Sequence, residues 1–391
     1  MERIYLDHTA TTPLDPEIFD AMKPYFFEKY GNASSIHSFG REAKAVLDES
    51  RDTIAKAIGA SAGEVFFVSS GTEADNFALK GIASKMWEHG KKHIVTSKIE
   101  HHAVLETCEF LSKNGFSVTY VDVHANGKVE CDTLANTITD KTGLVSIMHV
   151  NNEIGTINSI KELATLANER GIPFHTDAVQ SLGKIPFDVK ELGIDLASFS
   201  AHKINGPKGI GAIYIKRGTK IETLLHGGGQ ERGRRAGTEN VPLAVGFAKA
   251  VELITRNMEV ENARLLQLKK YFIALIKERF PFVVFNGHAT DSIPHIVNIS
   301  FDSRQIEIDG EALLFNLDLA GIAVTSGSAC TSGSMEPSHV LLALGRDAQT
   351  AKATIRFSMG KATSKEQIER VVEVLEGVVE RMGKRKHWKK Y

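Results

Sequence analysis

The run Ser198-Phe199-Ser200-Ala201-His202-Lys203 leads straight into Ile204-Asn205-Gly206-Pro207-Lys208-Gly209. It sets Lys203 between an apolar segment, Leu196 to Phe199, and a Gly/Pro-rich turn, with Ser200 and His202 just upstream. A lysine fixed at the end of a core strand, partly desolvated and beside groups that hold an anion, meets the needs of Schiff-base chemistry. The lysine calls for an aldehyde, and Ser200 and His202 for an anion. The same residues would also make an ordinary lysine on a strand-ending loop, so the other polar clusters of the chain have to decide.

Pyridoxal phosphate (PLP) carries both an aldehyde and an anion, and the remaining clusters can be weighed against it. Ser69-Ser70-Gly71-Thr72-Glu73 joins a strand to a helix. Gly71 allows close backbone approach, and Thr72 offers a hydroxyl at a helix N-terminus, where N–H groups and the helix dipole suit a phosphate. A plain helix cap reads equally well there. Asp177 ends the strand-like Ile172-Thr176, with Gln180 three residues on. A carboxylate there could pair with a pyridinium nitrogen and Gln180 with a phenolic oxygen, or Asp177 could simply cap the next helix. Glu100-His101-His102 offers a histidine to stack on a ring and pass protons, against a surface or structural role. Asn151-Asn152-Glu153-Ile154-Gly155 offers an amide to a ligand or forms a turn. The loop Gly227 to Thr238 could present donors to a phosphate or be a solvated basic loop. Arg356, inside the apolar run Ala353 to Ser358, is costly to bury without a partner. A substrate carboxylate or a structural acid would each serve. Cys330 sits among small residues, Ser326 to Ser334, where a thiol is accessible and can travel.

The elements that must position these groups alternate in type. Strand-like runs at Glu64-Ser69, His93-Thr96, Ser117-Val123, Gly143-Val150, Ile172-Thr176, Leu196-Phe199 and Ile210-Ile215 are separated in several places by helical patterns, among them Thr72-His89 and Ile160-Glu169. Continuous apolar strands interleaved with helices predict a largely parallel sheet covered on both faces, with ligands beyond the carboxyl ends of the strands. After residue 250 the pattern changes to a long helical run, Val260 to Arg279, then short strand-like pieces such as His295-Ile299. A final helix opens at Ser364 with Gln367 as a capping box, carries an apolar face from Ile368 to Val379, and can close at Gly383. Asp15-Pro16 marks another helix start. The expected division is a large domain, 16–258, and a smaller α+β domain made of 1–15 and 259–391.

The composition excludes several classes. The chain has 391 residues, 42% hydrophobic and 24% charged, with a formal net charge of -1. That is a globular profile without the charge excess of a nucleic-acid or membrane-surface binder, so neither partner is expected. No basic start followed by an apolar region opens the chain, and a cytoplasmic location is expected. The three cysteines, Cys108, Cys131 and Cys330, make neither a disulfide framework nor a zinc cluster. Cys108, in an apolar helical run, is expected to be inert. No metal site is expected.

Taken in order, these motifs resemble the cysteine desulfurases, the NifS/IscS-like branch of the fold type I PLP enzymes. The resemblance runs from Tyr5-Leu6-Asp7-His8-Thr9-Ala10-Thr11-Thr12 to Arg356-Phe357-Ser358. It implies an α/β fold with a mostly parallel central sheet in the large domain, and L-cysteine as substrate. It implies that Lys203 forms the Schiff base with PLP, that His101 stacks on the ring and moves protons, and that Asp177 and Gln180 meet the pyridine nitrogen and phenolic oxygen. Gly71 would lie at the cofactor. Thr72, Ser200 and His202 would bind phosphate, with Thr238 supplied by the other subunit of a homodimer. Asn152 and Arg356 would hold the substrate carboxylate, and Cys330, in a loop like that of the long-loop group, would carry the sulfur as a persulfide. Two departures stand out. The family's glycine/alanine pair before the threonine is Ser70-Gly71 here, and the chain ends Gly383-Lys384-Arg385-Lys386-His387-Trp388-Lys389-Lys390-Tyr391 in place of an acceptor-docking tail. With Arg234-Arg235, that basic end looks more like relatives feeding a tRNA thiolation enzyme than an iron–sulfur scaffold. Selenocysteine lyase, another PLP reaction on the same scaffold, and a non-catalytic RNA-binding carrier are the alternatives.

Overall fold

Six strands between Val65 and Ile215 are buried along their whole length: Val65–Val68, His93–Ser97, Thr142–Ser146, Phe174–Asp177, Leu196–Ser200 and Gly211–Ile215. Strands apolar on both faces must be covered on both faces. The computed structural model, which describes residues 3–327 and 336–385, places them in one seven-stranded sheet. Its order is Val65–Val68, Gly211–Ile215, Leu196–Ser200, Phe174–Asp177, Thr142–Ser146, His93–Ser97, Ser117–Val121. The last strand alternates exposed and half-buried positions along most of its length, as an edge strand does. Only Gly211–Ile215 runs against its neighbours. The short connection from Leu196–Ser200 allows that reversal, whereas parallel pairing needs a longer crossover. The other six strands therefore point their carboxyl ends to one edge of the sheet.

Helices Gly71–Glu88 and His102–Lys113 cover one face, where Phe77, Ile82, Val104, Cys108 and Leu111 are fully or almost fully buried. Ser38–Ala57, Ile160–Asn168 and the start of a long helix, Val241–Arg279, cover the other. A second apolar cluster forms around a three-stranded antiparallel sheet, Thr354–Ser358 beside Ile296–Phe301 beside Val283–Phe285. The N-terminal strand Ile4–Tyr5 pairs with Ile322–Ala323, and Asp7 bridges to Ser358.

The helix expected from Val260 in fact begins at Val241 and runs for 39 residues, capped by Asn240. Its first part buries Phe247 and Val251 in the large cluster, and its second part buries Phe272 and Ile276 in the small one. Between them the polar stretch Thr255 to Asn262 crosses the seam. In sequence that stretch reads as a break; in three dimensions it is one rigid element, and the expected 258/259 boundary falls inside it. The Ser364–Gln367 capping box and the Asp15 cap form as expected. Gly383 does cap the last helix, but at φ −74° it lets the chain leave extended rather than turning it left-handed. A Cβ there would come within 2.7 Å of the Val379 carbonyl oxygen, which is why a glycine is needed. No helix among the described residues is long and apolar enough to cross a membrane.

Candidate active site

The strand ends open onto a cavity of about 390 Å³ lined by Gly71, Thr72, His101, Asn152, Asp177, Gln180, Ser200, His202, Lys203 and Arg356. Ten of the residues singled out from sequence thus meet at one place. Thr238 is exposed and is not among the lining residues of its own chain. Cys330 lies outside the described residues, though Thr325 and Gly327, which lead towards it, line the cavity.

Lys203 closes a short 3-10 turn, Ala201–Lys203, directly after its strand. Its Nζ donates to the carbonyl oxygens of Thr9 at 2.6 Å and Ala10 at 2.8 Å. Burial pushes its pKa down to about 8, helped by the Arg356 charge and opposed by Asp177 and Asp7. His202 Nδ1 lies 3.1 Å from the Thr11 hydroxyl, which fixes that ring beside the lysine. The helix Gly71–Glu88 meets the same wall with its N-terminus. Here the cap is Ser70, not Thr72: its side chain accepts the Glu73 N–H. Thr72 is thereby left lining the cavity. A Cβ on Gly71 would approach Val179 Cγ2 to 2.8 Å and Ser200 Cβ to 3.6 Å, so only glycine lets the helix end sit this close to the strand ends.

Asp177 is buried, and its Oδ1 accepts the Val179 N–H at 2.9 Å. Burial raises its pKa, while His101 and Lys203 pull it back. His101 caps the helix His102–Lys113, its Nδ1 accepting the Ala103 N–H at 3.1 Å. An accepting Nδ1 places the ring proton of the neutral form on Nε2. Its pKa is lowered, mainly by burial, with Asp177 opposing. Ligand-capable atoms of Asp75, His101 and Asp177 lie within 4.8 Å of one another. The lysine and helix N-terminus that share the cavity make it a place for an aldehyde and an anion rather than for a cation alone.

The amide ambiguity at 151–152 is settled by geometry. Asn151 builds the turn: its Oδ1 accepts the N–H groups of Glu153 and Ile154, and its Nδ2 donates to the Ile99 carbonyl. Asn152 is left to line the cavity. Arg356 has an acid after all, donating to Asp7 Oδ1 at 2.8 Å and to the Asn152 carbonyl at 3.0 Å, while its Nε is buried without a hydrogen-bond partner among the described residues.

Sequence reasoning missed several contributors. Asp75 lies one helical turn after Gly71 and lines the cavity, its Oδ1 3.6 Å from His175 Nε2; burial and the nearby Asp177 hold its pKa well above the ordinary value. The i, i+4 spacing from Gly71 was the available signal. Glu100, raised to about 8 by burial, is close enough for its charge to add to the rise at Asp75. Burial opposes charge on all three carboxyls, and Asp177 is the one whose charged form His101 and Lys203 favour. The carbonyls of Thr9 and Ala10 that hold Lys203 gave no signal, because backbone acceptors carry none. Cys108 is buried, with its thiol pushed up to about 12, and Cys131 is partly buried with its pKa also raised.

PLP fits this residue set: an amine for its aldehyde, a helix N-terminus with hydroxyl and imidazole neighbours for its phosphate, and a buried carboxylate for its ring nitrogen. The comparisons with known proteins point the same way. Residues 4–371 match the model of the family described as aminotransferase class-V. Over 379 residues the chain is 50% identical to a protein named cysteine desulfurase IscS from Dictyoglomus turgidum, covering 97% of this chain and 95% of that one. A solved structure described as a NifS-like protein superposes with a TM-score of 0.90 at 36% identity, covering 97% of this chain and all of the other. Another, described as SspA in complex with cysteine, gives 0.79 at 35% identity over 91% and 98% of the two chains.

Proposed function

The chain belongs to the aminotransferase class-V family, in its cysteine desulfurase branch, and from that premise we infer that it is a PLP-dependent enzyme that takes sulfur from L-cysteine, leaves L-alanine and carries the sulfur as a persulfide on Cys330. The observation that supports this best is the convergence of Lys203, Asp177, His101 and the Gly71–Thr72 helix end on one cavity. Bound there, PLP supplies an electron sink for carbanion chemistry at the substrate's α-carbon. The chain supplies the rest. Lys203 anchors the cofactor's aldehyde carbon, and once displaced by the substrate amine it is a weakly basic amine able to take the α-proton. Thr72, Ser200 and His202 hold the phosphate. Asp177 keeps the ring nitrogen protonated, and Gln180 donates to the phenolic oxygen. Arg356 and Asn152 orient the substrate carboxylate; the Asp7 pair holds the guanidinium at the cavity wall. The Cys330 thiolate attacks the substrate sulfur while a protein acid, His101 in our reading, protonates the departing carbon. The lysine has to be rigid and the cysteine has to travel, which suits their placement in two parts of the chain, 16–258 and 1–15 with 259–391.

The enzyme works as a homodimer in which Thr238 of each chain reaches the other's phosphate. Exposed Phe19, Phe26, Phe27, Tyr30, Ile36 and Phe39 form an apolar concentration between residues 19 and 39 that supports such an interface. The sulfur goes to an acceptor protein, an iron–sulfur scaffold or a tRNA thiolation enzyme; sulfur-labelled L-cysteine given with each candidate distinguishes them. The described cysteines are free thiols, in keeping with the reducing cytoplasm. Lys203→Ala should abolish turnover and covalent attachment of the cofactor. Cys330→Ser should keep the cofactor's visible band and lose protein-bound sulfur; sulfur delivered at the normal rate by that variant would defeat the mechanism.

A further inference from the structure

Behind Lys203 lies a second cavity of about 360 Å³, and the lysine forms part of the wall of both. This second space is bordered by Lys184, a lysine withdrawn from water whose ammonium contacts no carboxylate among the described residues. Its one side-chain hydrogen-bond partner among the described residues is Gln180: Nζ donates to Oε1 at 2.7 Å. The charged and titratable groups around it are Lys203 and Arg356, which repel it, and His8, His202 and His295, which feel its charge. Burial pushes its pKa down to about 7, and the neighbouring cations add to that.

A half-buried lysine whose ammonium is drawn away from water and meets no acid among the described residues is an expensive way to fill space, and an apolar side chain would be more stabilising. The backbone nevertheless holds it in place from two sides. Gly183 adopts φ +69°, and a Cβ there would meet Ile254 Cγ2 at 2.3 Å. The Lys184 carbonyl accepts from Asn262 Nδ2 at 2.7 Å. Ile254 and Asn262 both belong to the 39-residue helix, so the element that joins the two cores also fixes this lysine.

What the lysine does there follows from the chemistry of a carboxamide. The two ends of an amide have nearly the same shape, and only their hydrogen-bond partners distinguish them. An ammonium can only donate, so Oε1 of Gln180 must face Lys184 whenever the lysine is protonated. The Thr9 carbonyl can only accept, so Nε2 must face Thr9, which it does at 3.2 Å. One N–H of Nε2 is used on Thr9, and the second is left for the active cavity that Gln180 lines. Thr9 O is also the acceptor for Lys203 at 2.6 Å, so the orientation of Gln180 and the position of the anchoring lysine rest on the same carbonyl. Without Lys184, only that shared carbonyl would oppose a flip that turns a lone-pair-bearing oxygen towards the cofactor.

We propose that Lys184 is a positioning residue: by holding Oε1 of Gln180 it keeps an N–H donor, rather than an acceptor, turned towards the phenolic oxygen of the cofactor ring. The inference rests on the PLP reading of the first cavity. It assigns to the second cavity's wall a role in the first cavity's chemistry, carried through one side chain.

The test is a double-mutant cycle on the holoenzyme, read by the PLP dissociation constant and by the pH midpoint of the cofactor's visible band. Lys184→Met and Gln180→Leu should each weaken PLP binding about fivefold, the effect of one neutral hydrogen bond. The double variant should bind no more weakly than Gln180→Leu alone, and should share its band midpoint. Lys184→Arg, which also only donates, should stay near wild type. If the two losses multiply to about 25-fold, or if Lys184→Met binds PLP as wild type does, Lys184 does not act through Gln180 and the proposal is overturned. Should Lys184→Met not fold, Lys184→Gln takes its place, since its amide accepts as well as donates and no longer dictates the orientation. A wild-type protein that bound no PLP would defeat the reading of the first cavity instead, which keeps the two failures apart.

Discussion

Titration of Lys203 in the cofactor-free protein tests the reasoning about the active site most directly. An ordinary lysine, at a pKa near 10.4, has about one amine in 2,500 unprotonated at pH 7. Burial and Arg356 bring Lys203 to about 8, where about one in ten is free. The gain in reactive amine at neutral pH is therefore a few hundredfold. Its source is mostly desolvation of the ammonium, which the charges of Asp177 and Asp7 only partly offset. The apoenzyme is treated with an amine-reactive reagent across a pH series, and modification of Lys203 is followed by peptide mass spectrometry against the exposed Lys361 as internal reference. Lys203 should reach half-maximal reactivity near pH 8. A Lys203 rate still climbing through pH 9.5 would show that the cavity does not depress the lysine, and the account of its preparation for Schiff-base chemistry would fail.

Lys184, Lys203 and Lys269 have folded pKa values of about 7, 8 and 8, below the unfolded value near 10.4. The unfolded chain therefore binds more protons than the folded one between these limits, and the stability of the apoprotein should rise with pH from about 8 to 9, by up to about 1.4 kcal/mol per lysine per pH unit; urea midpoints that fall across that interval would contradict the three depressions together. An alkylating reagent at pH 7.5 should label Cys330 first, Cys131 more slowly and Cys108 only after unfolding, as tryptic mapping would report, because the Cys108 thiol is buried and held near 12. Arg51 and Glu231 form a buried bidentate pair at 2.6 and 2.7 Å that ties the glycine-rich loop to the large sheet. Arg51→Met should cost about 3–5 kcal/mol of stability by stranding the carboxylate, measured by denaturant titration, and a loss below about 1 kcal/mol would remove that anchor from the account.

Much of this molecule was legible in the sequence because its signals are local. Continuous apolar runs between helical patterns gave the covered parallel sheet, and Ser364 with Gln367 gave a helix start, since burial periodicity and capping act within a few residues. The chemical groups could be picked out by type at strand ends. What each does with its neighbours was not local. Arg356 left a substrate acid and a structural acid equally open, and only the return of the N-terminal segment along the small sheet brought Asp7, 349 residues away in sequence, to 2.8 Å. Asn151 and Asn152 looked interchangeable until the turn used one and left the other to the cavity. Lys184 carried no signal at all: a lysine drawn away from water with no acid beside it among the described residues is recognised only when its surroundings are known. Residue type and spacing determined which chemistry this chain could perform, since those properties belong to the side chains themselves. The tertiary structure decided which groups are neutral, which amide end faces inward and what holds the lysine, because desolvation and hydrogen-bond partnership depend on atoms that the chain brings together from far apart.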